Sequence, residues 1–132
     1  FIFSVGISPA DAAAALAAVR VLRREPERVQ RLQARAAEFR RAASRAGLGG
    51  SPGDPSPIVP IVIGDQHRCM EISLRLLAAG VHVQPVIFPA VARTEAQLRF
   101  FLTSEHSPDQ IRVAIECLAE AVRETSRASL PA

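Results

Sequence analysis

Lysine is missing altogether: all sixteen basic residues of this 132-residue chain are arginine, so no side chain offers a primary amine as a nucleophile. Cysteine is scarce. Cys69 and Cys117 are too few and too far apart for a disulfide scaffold, and a reducing cytoplasm is the expectation. No apolar run approaches the roughly 18 residues that cross a bilayer, and no charged n-region with a cleavage site reads as a secretion signal. The one methionine is Met70 and the chain opens on Phe1, so a piece of a longer protein is expected. What is present is ordinary for a globular chain: 48% hydrophobic and 22% charged residues, enough for one core and one domain.

Along the chain, Phe1-Ile2-Phe3 reads as a strand. Ser8-Pro9 reads as a helix N-cap followed by proline at the first turn, where the missing N–H costs nothing. Ala12, Leu16, Val19 and Leu22 keep helical spacing among small alanines that allow close packing. Pro26 restarts the helix, and Val29, Leu32, Ala36, Phe39, Ala43 and Ala46 alternate steps of three and four until Gly47 caps it. Residues 9–47 thus form a helical arm. The Pro- and Gly-rich residues 48–57 form a linker, with no Gly-Lys-Ser/Thr to make it a phosphate loop.

Beyond it the pattern alternates. Ile58 to Ile63 predicts a buried strand with Pro60 marking an edge or a bulge. Asp65 to Ala79 predicts a helix ended by Gly80, Val81 to Val86 a strand, and Leu98 to Thr103 a third strand. A last helix opens at Ser107-Pro108 with Ile111, Ile115, Leu118 and Val122 on its apolar face. The expectation is a small α/β domain over 58–125, built as strand, helix, strand, strand, helix, with a frayed tail at 126–132.

Arginine concentrates on the arm, where residues 20 to 45 hold nine arginines against three acids. A basic helix can bind nucleic-acid phosphates. Here the arginines spread around the helix and Phe39 is the sole aromatic, which reads as a solvated face. His67-x-Cys69 has no second pair at zinc spacing, and His82 and Cys117 stand apart from it, so no metal site is expected. No Gly-x-Ser-x-Gly elbow appears, and neither cysteine has a catalytic surround. The suggestive residue is Arg99, a guanidinium in an otherwise apolar strand after a proline-constrained loop. Burying it requires an anion: a substrate carboxylate on its planar fork, or else an internal ion pair or exposure at an edge.

Three ordered blocks carry a resemblance: Phe1-Ile2-Phe3-Ser4 with Pro9 after it; Gly80-Val81-x-Val83-x-Pro85-Val86-x-x-Pro89-Ala90-Val91; and Ala96-x-Leu98-Arg99 followed by Leu102-Thr103-x-x-His106-Ser107. In these the chain resembles the C-terminal part of the α-oxoamine synthases, pyridoxal-phosphate enzymes that join an amino acid to an acyl thioester with loss of CO2. The resemblance implies the small C-terminal domain of a fold-type-I pyridoxal-phosphate-dependent transferase, with residues 1–8 ending a large cofactor-binding domain. It implies a substrate-carboxylate grip by Arg99 and a contact from Ser4 to the cofactor phosphate of a neighbouring subunit in a homodimer. It also implies amino-acid and acyl-thioester (acyl-CoA or acyl carrier protein) substrates. Two departures stand out: Val5 replaces the family's second hydroxyl, and Ala92-Arg93-Thr94-Glu95 replaces its glycine-containing turn.

The absent lysine now acquires meaning, because such enzymes hold the cofactor through a lysine amine. No catalytic residue is therefore expected within this chain, which would be silent alone. Two other readings remain: a fold-type-I aminotransferase or lyase, and a non-catalytic α/β interaction module.

Overall fold

A computed structural model describes residues 6–49 and 56–128. The Phe1-Ile2-Phe3 strand, Ser4, the centre of the linker and the end of the tail lie outside the described residues. Helix α1 (Pro9–Arg24) starts as its sequence dictates. Ser8 caps it, its Oγ accepting the Asp11 N–H at 3.1 Å, and Pro9 opens the first turn. Pro26 separates α1 from α2 (Glu27–Arg45), and Gly47 ends α2 at φ 71°. There Leu48 N–H donates to Ala43 O and Gly47 N–H to Ser44 O, both at 3.0 Å, the paired bonds of a left-handed helix stop.

Helix α2 puts Ala36, Phe39 and Ala43 into the core, while Val29 at its start stays exposed. α1 behaves differently. Leu16, Val19 and Leu22, spaced like a core stripe, are all exposed, and no residue of α1 is buried.

Three strands follow: β1 (Ile58–Gly64), β2 (Gln84–Val86) and β3 (Ala96–Phe101), with α3 (Gln66–Ala78) between β1 and β2 and α4 (Pro108–Ala128) last. The sheet order is β1-β3-β2, and β3 runs antiparallel to both neighbours. Pro60 therefore sits on an edge strand, in regular register with Arg99, so the edge reading holds; the register irregularity lies beyond it, between Val62 and Gly64. β1 is not buried throughout: Val59 and Ile61 are inside, while Ile58, Pro60 and Val62 face out.

β2 is shorter than the expected Val81–Val86, because pairing with β3 begins only at Gln84. The alternation before it comes from chain leaving Gly80, whose φ of 82° and 3.0 Å bond to Leu77 O repeat the helix stop of α2. β3 begins two residues earlier than expected and ends at Phe101, after which Leu102 N–H still reaches Pro57 O at 2.9 Å.

Helices α2, α3 and α4 cover one face of the sheet. Phe39 meets Phe100 with ring centroids 4.7 Å apart, and Cys69, Ile72, Leu76, Ile111, Ile115 and Leu118 complete the core with Val59, Ile61 and Leu98. α4 opens on a reciprocal cap: Gln110 N–H donates to Ser107 Oγ at 3.2 Å, and Ser107 N–H to Gln110 Oε1 at 2.8 Å. It continues past the expected limit at Thr125 to Ala128. The cause is Arg68, whose guanidinium binds Thr125 Oγ1, Val122 O and Ser126 Oγ and ties the last turns to α3. Among the described residues no helix is long and apolar enough to cross a membrane.

Burial holds the Cys69 thiol up to about 11, with the nearby Asp65 carboxylate adding to the effect. At pH 8 native protein should therefore leave Cys69 unalkylated by iodoacetamide while the half-buried Cys117 reacts. Peptide mass mapping checks this, and rapid labelling of both thiols would contradict it.

Candidate functional site

Alternation along β3 decides which side chains meet the helices. Ala96, Leu98 and Phe100 point into the core, and Gln97, Arg99 and Phe101 stand on the opposite face, left uncovered among the described residues. Directly opposed residues share a face in an antiparallel pair. Arg99 thus stands between Pro60 of β1 and Gln84 of β2, with Ile58, Val62 and Val86 nearby on the same surface.

This placement narrows the readings of Arg99. It lies on the central strand, not at an edge, and it is half-buried. The ion pairs of the described residues engage Arg28, Arg35, Arg75 and Arg112 with nearby acids, and none engages Arg99. Pro60 offers it neither charge nor donor, and Gln84 is neutral. A guanidinium on a largely apolar surface, with no ion-pair partner among the described residues, has the chemistry to pair with a carboxylate.

Gln84 is not apparent from sequence, because its proximity to Arg99 comes from strand pairing and not from local pattern. Its side-chain Nε2 lies 3.4 Å from Nε2 of His82, two residues earlier and also exposed. At the other end of the face the chain turns through Phe88, over whose ring Arg93 stacks 4.2 Å from the centroid. Ala92 to Glu95, the turn that departs from the family pattern, closes with Glu95 N–H donating to Ala92 O at 2.9 Å, and Arg93 within it lies over the Phe88 ring.

The remaining candidates are not gathered here. Ser4 lies outside the described residues. His67, Cys69, His82 and Cys117 do not converge, and no group of three or more His, Cys, Asp or Glu suited to a metal occurs among the described residues. The solvated reading of the arm needs one correction. Arg40 is buried at 5% exposure, because its guanidinium reaches inward to the Ser56 carbonyl.

The donor set also bears on a cofactor. The 132 residues hold no lysine amine, so they cannot supply the covalent anchor that pyridoxal phosphate requires. The planar guanidinium of Arg99 is chemically suited to a carboxylate.

The family model for aminotransferase class I and II matches residues 1–118. The chain is 36% identical over 124 residues to 8-amino-7-oxononanoate synthase 1 of Bacillus subtilis, covering 94% of this chain and 31% of that protein. It is 41% identical over 124 residues to 8-amino-7-oxononanoate synthase of Chromohalobacter salexigens, covering 94% and 32%. Among solved structures it resembles a variant serine palmitoyltransferase from S. paucimobilis with bound pyridoxal phosphate and myriocin. The TM-score is 0.83 at 25% identity, over 95% of this chain and 32% of that one. It also resembles 8-amino-7-oxononanoate synthase of Francisella tularensis, with a TM-score of 0.78 at 25% identity, over 92% and 35%. The chain therefore spans about a third of the length of the curated relatives it matches.

Proposed function

The chain belongs to the aminotransferase class I and II family, in its α-oxoamine synthase branch, a family whose cofactor is pyridoxal phosphate; from that membership we propose that it is the substrate-gripping small domain of an acyltransferase that condenses an amino acid with an acyl thioester and releases CO2. One observation carries the reading. Arg99 stands on the central strand's open face with no carboxylate partner among the described residues.

In this reading pyridoxal phosphate, when bound, supplies the electron sink that lets the substrate lose its carboxylate. The residues here do the positioning. Arg99 presents two parallel N–H donors to the carboxylate and fixes the orientation of the amino acid. The apolar side chains around it offer no competing acceptor for the guanidinium. Ser4 is assigned the phosphate contact across a homodimer boundary by the resemblance alone. The covalent anchor lies in a polypeptide region beyond these residues, so the 132-mer is inactive alone.

The defining experiment joins the chain to a lysine-bearing cofactor domain of the same family and offers an amino acid with either an acyl thioester or a 2-oxo acid. CO2 release that depends on the thioester supports the proposal. Amine transfer to the 2-oxo acid without thioester would assign an aminotransferase instead. A second test uses the 132-mer itself, mixed with pyridoxal phosphate, reduced with borohydride and mapped by peptide mass. No internal peptide should gain the cofactor, and a modified side chain would overturn the division of labour.

A further inference from the structure

We infer that Gln84 is a second recognition residue for the substrate carboxylate, acting beside Arg99, and that His82 is the positioning residue that holds it. The inference rests on the assignment of Arg99 to that carboxylate.

Gln84 lies directly opposite Arg99 in the β2–β3 register. Their Cβ atoms leave the same face about 5 Å apart, well within reach of two long side chains. On the other flank Pro60 has neither a side-chain donor nor a backbone N–H. A carboxylate held on the guanidinium fork uses two of its roughly four acceptor sites, which leaves lone pairs needing donors once water is excluded. Of the two residues the register sets directly across from Arg99, only Gln84 can supply one.

Its neutrality matters as much as its reach. An acid at position 84 would occupy Arg99 internally, and a base would repel it. An amide adds a donor and leaves the guanidinium's charge for the ligand.

His82 explains how an exposed, flexible side chain is kept in place. With the imidazole protonated on Nδ1, its Nε2 accepts one amide proton of Gln84 across 3.4 Å. The second amide proton remains available. His82 and Gln84 flank the buried Val83, so both side chains stand on its exposed side.

The test is an equilibrium titration of the longer polypeptide that carries this chain, loaded with pyridoxal phosphate. The probes are glycine, L-alanine and L-serine and, for whichever binds, its carboxamide. Gln84→Ala should weaken the amino acid about tenfold, the worth of one charge-assisted bond, and leave the carboxamide within about twofold. Gln84→Glu should weaken the amino acid by about 100-fold or more, because the new carboxylate takes Arg99. His82→Ala should cost about threefold, and nothing further in the Gln84→Ala background.

Amino-acid affinity unchanged by Gln84→Ala, or equal losses for acid and carboxamide, overturns the inference. Arg99→Ala separates the two layers. If it abolishes binding while Gln84→Ala leaves the affinity unchanged, the Arg99 assignment stands and this inference falls. If neither change matters, or the unsubstituted protein binds none of the three probes, both fall.

Discussion

Replacing Arg99 with alanine in the cofactor-loaded protein should raise the amino-acid KM by about 100- to 1,000-fold. A bidentate guanidinium–carboxylate contact supplies two charge-assisted bonds, together roughly 3–4 kcal/mol, and each 1.4 kcal/mol is tenfold in affinity. Arg99→Lys should recover only part of this, since an ammonium keeps the charge but loses the planar fork. The same alanine variant should melt within a degree or two of the original. Arg99 is half-buried and has no internal ion pair among the described residues, so its removal strands no buried charge. Steady-state kinetics and thermal unfolding of one protein sample decide the matter. A large loss of stability with an unchanged KM would make Arg99 a structural residue instead.

The largest stability effect should come from Phe39→Ala. Phe39 is 1% exposed and packs on Phe100, so its loss opens a cavity between the arm and the sheet. Truncating a buried phenylalanine costs about 3–5 kcal/mol, a large share of the roughly 5–15 kcal/mol that holds a typical domain together. Val29→Ala on the same helix, at an exposed position, should change stability by less than about 0.5 kcal/mol. Urea unfolding of the two variants measures the contrast. Similar midpoints would mean that α2 is not anchored where its packing indicates.

The parts of the fold written in local chemistry are legible in the amino-acid sequence itself. Ser8-Pro9 opens a helix because a hydroxyl and a missing N–H solve the first-turn problem together. Gly47 and Gly80 end helices because each takes a positive φ that other residues resist. Pro60 signals an edge for the same kind of reason.

What stays hidden depends on contacts distant in sequence. Val81-His82-Val83 alternates like a strand, yet it has no ladder partner until Gln84 reaches β3. Arg40 looks like one more solvated arginine until the chain returns with the Ser56 carbonyl. Arg99 stands out as a charge in an apolar strand, but its neighbours Pro60 and Gln84 are fixed by register, which periodicity does not specify.

The bare stripe of α1 has a thermodynamic consequence. A 16-residue helix in water is marginal by intrinsic propensity, and this one has no buried residue against the rest of the described residues. Its residues should therefore melt as a unit separate from the one that contains Phe39, with the division at Pro26. A single unfolding midpoint measured on the core describes the sheet and its three covering helices, and leaves the free energy of the leading helix uncounted.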